Sequence, residues 1–592
     1  MSLQTLNDIL LAVAKSRRDR VMLQRGALGW VPISSTEIYR SVVGVARVLE
    51  SWGICKGDRV AILSENRPEW TITDFAALSL GAVTVPVYST QTPEQTAFLL
   101  NDSGARIIAV STKHQLEKIL TIQPHTPVER IMVMDAVETA HAVQMQGLML
   151  SGPAGFDPEF DARSQSIGPD DLATIIYTSG TTGTAKGAML THGNMASNIE
   201  YSMQAFGFGT KEEVSISFLP LSHVTARHVD FALLYRGVTL AYCPDLAQLA
   251  PVLTEVQPDI FIAVPRVYEK IRQQVIVKTT GFPKNAIYRW ALAVGRAHRA
   301  ETLNGTQPST LSWKMKLAYR LVFSKVRAGM GGKAEEFISG GAPLGRELAE
   351  WYADLGIPIH EGYGLTETSP VIAVNTPAAH KLGTVGKPLA NVEVQLADDG
   401  EVLVRGPSIF KGYWNRPEET RNVFVDGWFK TGDIGQLDSE GYLSITDRKK
   451  DLIKTSGGKF IAPQPIENSL KLNPLIGTAV VIGDRRKFPA VLISPHFPLL
   501  EDWARANQID IISRQTLVAN TKVQALYEGI IDDLNENLAR YEKLKRVLIV
   551  AEEFSAEAGT MTHTFKVRRR GIEDRYRALI DEMYAKAETS GS

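Results

Sequence analysis

The sequence predicts an α/β protein: a large N-terminal domain of layered α/β subdomains plus a small β-rich subdomain, followed by a small α/β C-terminal domain. Three observations predict this. Over the first two-thirds of the chain, short apolar runs alternate with helical patterns, the signature of α/β layers with largely parallel sheets. From Val392 the pattern changes to short strands and turns. After the charged run Asp447–Asp451, enough chain remains for one more compact domain.

The elements follow in order. The N-terminal stretch MSLQTLNDILLAVAKSRRDR reads as a short amphipathic helix. It lacks a long apolar core and a small-residue cleavage site, so it is a poor signal peptide. Ser34-x-x-Glu37 is a capping box. Behind it Ile38, Val42, Val45, Leu49 and Trp52 keep helical spacing, and Gly53 ends the run. Strand-like runs come at 59–64, 106–110, 130–134, 172–177, 215–219, 239–242, 259–264 and 336–339. VEVQLADDGEVLVRG, from Val392, reads as a hairpin turning at Asp399-Gly400. The β-rich subdomain it opens ends near Asp447, and Asp447–Asp451 is a linker candidate. The following domain extends to about Tyr584, and the last residues, AKAETSGS, are expected to fray.

At 592 residues the chain exceeds the roughly 250–300 at which a single core stops growing, so more than one domain is required. Hydrophobic content of 44% and charged content of 22% are those of an ordinary globular protein. A net charge of −1 argues against a dedicated nucleic-acid binder. Cys55 and Cys243 form neither a disulfide framework nor a metal-ligand spacing, which points to a reducing, cytoplasmic compartment. Nowhere do 18 consecutive apolar residues occur, so no membrane span is expected.

YTSGTTGTAKG, Tyr177 to Gly187, carries the most chemistry. Its glycines let the backbone approach an anion, its hydroxyls and N–H groups donate to phosphate oxygens, and Lys186 adds a point charge. The spacing is not that of a Walker A loop, which needs Gly-x-x-x-x-Gly-Lys-Ser/Thr. The run 172–177 reads as a buried strand delivering the loop, with a helix starting near Thr191. On composition alone, a flexible surface loop of small residues remains an alternative.

Further motifs join it. SGGAPL, 339–344, follows a strand and lets the backbone approach a flat ligand. EGYGLTETSP, 361–370, supplies an aromatic face at Tyr363, a hydroxyl at Thr366 and a carboxylate at Glu367. WFKTGDIG presents Asp433 on a turn, and TMTHTFKVRRR carries Lys566. Each is weak alone; a Thr-Gly-Asp turn is more often only a turn. A separate basic segment, 266–333, holds 14 Lys/Arg against Glu269 and Glu301. Its stretch WKMKLAYRLVFSKVR has an apolar stripe at Met315, Leu317, Leu321 and Val322. It reads either as a patch for an anionic membrane surface or as the solvated face of packed helices.

In their joint order these motifs resemble the adenylate-forming superfamily of acyl- and aryl-CoA synthetases, luciferases and peptide-synthetase adenylation domains. The resemblance spans about Asp58 to Arg570. DRVAILSENRPEW, FLPLSHVTAR, AVPRVYEKI, HKLGTVGKPL and DRKKDLIKTSGGKFIAPQPIE look like the long-chain fatty acid–CoA ligase branch, as does the helical insertion between AVPRVYEKI and SGGAPL.

The resemblance implies a luciferase-like fold with residues 1–447 as the AMP-binding domain and 448–592 as a mobile α/β C-terminal domain hinged at Lys450. It implies a two-step reaction: a carboxylate becomes an acyl-adenylate at the expense of ATP, and a CoA thiol then displaces AMP. Thr178, Ser179, Gly180, Thr181, Thr182, Gly183 and Lys186 would hold the β- and γ-phosphates. Glu367 would ligate Mg²⁺, a hard ion suited to oxygen donors, with Thr366 on phosphate or metal. Tyr363 would stack on adenine, in a pocket completed by Gly341, Ala342 and Pro343 and the neighbouring Glu361, Gly362 and Gly364. Asp433 would accept from both ribose hydroxyls, and Arg448 would reach the nucleotide. Lys566 would bridge the substrate carboxylate and α-phosphate. After rotation of the C-terminal domain, Ser456, Gly457, Gly458 and Lys459 would line the pantetheine channel. His223 and Arg227 match positions at the mouth of an acyl tunnel, though His223 also reads as a buried histidine supporting a strand end. Ala185 and His563 stand where the family usually has proline.

The expected activity is thus activation of a long-chain fatty acid with Mg-ATP and transfer to CoA, with peripheral membrane contact at the inner face. Transfer to an acyl carrier protein, or a non-catalytic acyl or nucleotide sensor, are the rivals.

Overall fold

The computed structural model describes residues 3–179, 185–204, 206–303, 312–455, 460–555, 558–562 and 566–589. Among them the large domain is built on two big sheets. One has eight strands, in the order 412–413, 185–191, 172–179, 83–87, 59–63, 107–110, 130–133 and 143–144. The other has nine, in the order 387–388, 371–374, 359–364, 336–339, 260–263, 214–217, 239–242, 22–26 and 29–33. The central pairings of both are parallel, and antiparallel strands close their edges.

Side-chain alternation along these strands sets the layers. Val60 and Ile62 face one core with the helices Asn7–Ser16, Ser35–Ser51, Pro68–Ser79 and Val224–Tyr235, while Ala61 and Leu63 face another with the helices Pro93–Ser103 and Lys113–Ile122. Leu240 and Ile262 of the second sheet join the first core, while Ala241 and Phe261 turn to the helices Pro265–Lys278, Lys284–Leu303 and Arg346–Asp354. Helices therefore fill the space between the sheets and cover both outer faces. The capping box at Ser34 and Glu37 forms as the sequence implies.

Two strands differ from the sequence reading. Val83–Val87 contains Pro86, which argues against a central strand. Its pairing with Leu172–Ser179 is confined to Thr84 and Thr174, so Pro86 interrupts no ladder on that side. Ala185–Thr191 is a strand antiparallel to Leu172–Ser179, where the sequence suggested a loop leading straight into a helix. Tyr177–Ser179 and Ala185–Gly187 of the phosphate-loop motif therefore lie on the two paired strands, and the helix begins after them, at His192. Ala, Lys and Gly have little strand preference of their own; pairing imposes the conformation.

The hairpin Glu393–Leu396/Glu401–Arg405 turns at Asp399-Gly400, with Gly400 at φ 82°, and joins Trp428–Leu437 and Leu443–Arg448 in a five-stranded sheet. Beyond Arg448, a three-stranded sheet (Ile476–Ile482, Ala490–Pro495, Val547–Ile549) has Ala479 and Val481 in one core and Val480 and Ile482 in another. The final helix runs from Arg577 to Thr589, past the point where fraying was expected. In the basic segment Val322 is buried and Met315 packs on the core, whereas Leu317 and Leu321 are exposed. No helix of the described residues is long and apolar enough to cross a membrane.

Candidate functional site

The site lies where strand ends of the second sheet, the paired strands that carry Thr178 and Lys186, the five-stranded sheet and the C-terminal domain meet. Strand Glu336–Ser339 delivers the turn holding Gly341, Ala342 and Pro343; Gly341 takes φ 83°, which favours glycine. The neighbouring strand Ile359–Gly364 carries Glu361, Gly362, Tyr363 and Gly364. Glu361 fastens the two together: its Oε1 accepts from the Leu344 N–H at 2.8 Å. Burial pushes this carboxyl up to about 7. A Cβ on Gly364 would lie 1.7 Å from the Pro370 carbonyl oxygen, so a side chain there would break the turn.

Tyr363 donates its hydroxyl to Asp433 Oδ2 at 2.7 Å. Asp433 sits on the long strand Trp428–Leu437 opposite Arg448, whose Nε is 3.3 Å from Asp433 Oδ1. Burial raises the Asp433 carboxyl against the pull of Arg448. Glu367, in the short turn Thr366–Thr368, accepts from the Tyr413 hydroxyl at 2.7 Å. The Tyr413 ring lies under Lys186 Nζ, 5.5 Å from the ring centroid. Thr178 faces Lys186 across the hairpin, and Ser179 faces Ala185.

The C-terminal domain supplies Lys566. Its N–H donates to Thr562 Oγ1 and its carbonyl accepts from the Thr562 N–H. Desolvation, then the Arg448 charge, push its ammonium down to about 8, while Asp433 and Glu367 pull it back up. His223 lies close enough to Lys566 to feel its charge. Desolvation first and Lys566 second hold this imidazole neutral, down at about 3. Its Nδ1 accepts from the Thr225 N–H at 3.1 Å, making His223 the N-cap of the helix Val224–Tyr235.

The structure thus brings Tyr363, Glu367, Asp433, Arg448, Lys566 and His223 into one electrostatic neighbourhood. It does not bring Arg227 there. Arg227, expected beside an acyl tunnel, is fully buried: Nε lies 2.7 Å from Asp74 Oδ2, and the guanidinium packs against Trp70 and Phe231. One turn inside the helix, it points into the core between the sheets, whereas His223 caps the end. Gly180, Thr181, Thr182, Gly183, Ser456, Gly457, Gly458 and Lys459 lie outside the described residues, as does His563.

Sequence reasoning missed Tyr413 and Asp74. Tyr413 ends a two-residue strand, too short to show a period, and its relation to Glu367 exists only through pairing with Ala185–Thr191. Asp74 sits in a helix buried along its whole length, where no polar face marks it.

The segment expected to carry the hinge is also fixed locally. Lys449 Nζ lies 2.5 Å from Asp399 and 2.8 Å from Glu401, both on the large domain. Asp447 accepts from its neighbour's N–H at Arg448 and from Gln464 N–H on the C-terminal side. Across the interface Arg266 donates to the Gly477 carbonyl and Arg272 to the Leu472 carbonyl, each at 3.0 Å.

Residues 11–414 match the family described as AMP-binding enzyme, and residues 450–588 match the AMP-binding enzyme C-terminal domain. The chain is 36% identical over 573 residues to the long-chain-fatty-acid–CoA ligase FadD15 of Mycobacterium bovis, covering 96% of this chain and 95% of that protein. It is 30% identical over 615 residues to the human long-chain-fatty-acid–CoA ligase ACSBG1, covering 97% and 83%. The anthranilate CoA ligase AuaEII, solved with anthranoyl-AMP, shares the fold at a TM-score of 0.75 and 21% identity, over 98% of this chain and 99% of that one. The chain belongs to the AMP-binding, adenylate-forming enzyme family, in its long-chain acyl-CoA synthetase branch.

Proposed function

We propose that this protein converts a long-chain fatty acid to its acyl-adenylate with ATP and transfers the acyl group to CoA. The observation that carries this reading is the placement of Lys566, from the C-terminal domain, within electrostatic reach of Arg448, Asp433, Glu367 and His223 of the rest of the site. The named relatives support the substrate class.

In the first step the fatty carboxylate oxygen attacks the α-phosphorus of ATP and pyrophosphate leaves. Two anions must approach, so positioned positive charge is what the protein supplies. Lys566 neutralises the meeting carboxylate and α-phosphate, with Arg448 beside it. Asp433 holds the ribose hydroxyls and Tyr363 stacks on the adenine, which Gly341, Ala342, Pro343, Glu361, Gly362 and Gly364 enclose. Thr178, Ser179 and Lys186, with Gly180, Thr181, Thr182 and Gly183, hold the outer phosphates. His223, neutral, stands beside the reacting carboxylate.

Mg²⁺ fits this site. Glu367 offers a carboxylate, one oxygen of which Tyr413 orients, and Thr366 adds a hydroxyl; both are hard oxygen donors. When bound, the ion neutralises phosphate charge.

In the second step the CoA thiolate attacks the acyl carbonyl carbon and AMP leaves. Lys566 then occupies the face the thiol needs. The C-terminal domain, residues 448–592, therefore turns about Lys450, bringing Ser456, Gly457, Gly458 and Lys459 to the pantetheine. The Lys449 contacts to Asp399 and Glu401 favour a pivot directly after Lys449.

Pyrophosphate release with a panel of fatty acids, with and without CoA, tests the reading. Release with long chains and CoA-dependent turnover is expected. Release that CoA does not accelerate would transfer the second step to an acyl carrier protein, and no release would leave a sensor.

A second observation favours contact with a membrane surface. Trp313, Leu317, Tyr319 and Leu321 are exposed among Lys314, Lys316, Arg320 and Lys325. Pelleting with anionic vesicles should fall when these four cations are replaced by Gln; undiminished pelleting would exclude this face.

A further inference from the structure

The paired strands that carry Thr178 and Lys186 are moored by the side chain of Asp102. Asp102 stands in the last turn of the helix Pro93–Ser103. A carboxylate there meets the negative end of the helix dipole and gives the helix no support, so its reason lies in its partners. Both of its oxygens are used. Oδ2 accepts from the Tyr177 hydroxyl at 2.7 Å, and Oδ1 accepts from Arg416 Nη2 at 2.8 Å. Its backbone carbonyl, left over at the helix end, accepts from Trp414 Nε1 at 3.0 Å.

These partners reach both strands. Tyr177 immediately precedes Thr178 on Leu172–Ser179 and faces Gly187 across the pair. Trp414 and Arg416 follow the short strand Gly412–Tyr413, which pairs with Ala188 and Met189 on the other edge of Ala185–Thr191. The Trp414 N–H donates to the Gly187 carbonyl at 2.8 Å. Gly187 lets the two aromatic residues close in: a Cβ there would lie 2.5 Å from Ile175 Cγ2, 3.2 Å from Tyr177 Cζ and 3.4 Å from Trp414 Cβ. Desolvation, then the bond to Asp102 and its charge, push the Tyr177 phenol up, so it stays a donor. Tyr413, the residue before Trp414, donates to Glu367 and lies under Lys186, so the same clamp holds that contact in register.

We propose that Asp102 is a positioning residue for ATP. By tying Tyr177 on one strand to Arg416 and Trp414 beside the other, it fixes Thr178, Ser179 and Lys186 against the β- and γ-phosphates. The nucleoside and α-phosphate are assigned to Tyr363, Asp433, Arg448 and Lys566, which Asp102 does not touch. The proposal rests on the nucleotide assignments proposed above.

The test is equilibrium binding of ATP and of AMP to the full chain, each with Mg²⁺ and without fatty acid, read by calorimetry. Asp102→Ala should weaken ATP binding by about tenfold, the worth of hydrogen bonds to a charged group, and leave AMP binding near wild type. Asp102→Asn, whose amide oxygen still accepts from one partner, should fall between. In pyrophosphate release the KM for ATP should rise while the KM for fatty acid stays put. The comparison of two nucleotides on one preparation cancels any loss of folded protein. Should Asp102→Ala fail to fold, Tyr177→Phe keeps the ring, removes the bond to Oδ2, and should weaken ATP binding alone. Adding Tyr177→Phe to Asp102→Ala should cost nothing further, because both remove the same bond. Equal weakening of ATP and AMP binding overturns the proposal and leaves Asp102 a structural residue, as does ATP binding unchanged in Asp102→Ala. A wild type that binds neither nucleotide would count against adenylation itself, and the proposal would fall with it.

Discussion

Tyr413 donates its hydroxyl to Glu367 Oε1 at 2.7 Å while its ring carries Lys186 above it. Burial, reinforced by the Glu367 charge, keeps this phenol protonated and therefore a donor. One aromatic side chain thus spaces the carboxylate assigned to metal from the lysine assigned to phosphate. Removing the hydroxyl leaves the ring beneath Lys186 but frees the carboxylate to rotate.

Tyr413→Phe should therefore slow acyl-adenylate formation by about tenfold, the worth of a hydrogen bond to a charged group. It should also raise the Mg²⁺ concentration needed for half-maximal pyrophosphate release. Turnover of pre-formed acyl-AMP with CoA should be near wild type. An unaltered Mg²⁺ dependence would show that Tyr413 only fills space.

Lys566 sets an alkaline limit. Its ammonium, pushed down to about 8, carries its charge below that pH and loses it above. Adenylation should fall as pH rises through about 8, and Lys566→Arg should move that limb upward, because guanidinium stays charged. His223, held neutral down to about 3, should contribute no acid limb near neutrality. Lys566→Ala should lower adenylation by a hundredfold or more, on the order of the loss of one transition-state charge contact, while ATP binding persists. The pH–rate profile of pyrophosphate release in the three proteins gives both answers.

How much of this could be read in the chain depends on whether a residue's partner is near in sequence or supplied by the fold. The Ser34–Glu37 cap and the Asp399-Gly400 turn are local, and both form where the sequence places them. The order of motifs likewise marks Tyr363, Asp433 and Lys566 individually. Their mutual arrangement was not legible, because Tyr363–Asp433 and Lys566–Arg448 join segments far apart in the chain. Strand Ala185–Thr191 escaped because its residues have weak strand preference and only pairing holds them. Arg227 misled because its neighbour His223 caps the helix at the site, whereas Arg227, four residues on, turns to Asp74.

The Arg227–Asp74 pair joins the helix Val224–Tyr235 to the helix Pro68–Ser79, with Thr84 of the first sheet accepting a further bond at 3.1 Å. Removing one partner strands the other charge in the core, so Arg227→Ala should destabilise the protein by about 3–5 kcal/mol. The double variant Arg227→Met, Asp74→Leu should recover most of that loss. Thermal melting of the two variants checks both, and a double variant as unstable as the single would mean that packing, not charge, dominates.

The interface arginines offer control over the two half-reactions. Arg266 and Arg272 reach from the large domain to the carbonyls of Gly477 and Leu472, at the end of the C-terminal domain's first helix and the start of its sheet. Both bonds are present in the arrangement in which Lys566 faces Arg448 and Asp433, and the proposed rotation about Lys450 would break them. Each is a charge-assisted bond to a neutral acceptor, so losing both should weaken the Lys566-in arrangement by about 1–3 kcal/mol. The double variant Arg266→Ala, Arg272→Ala should therefore slow pyrophosphate release roughly five- to fiftyfold while leaving CoA-dependent consumption of supplied acyl-AMP equal or faster. Equal slowing of both half-reactions would show that the arginines stabilise the large domain and do not select between arrangements.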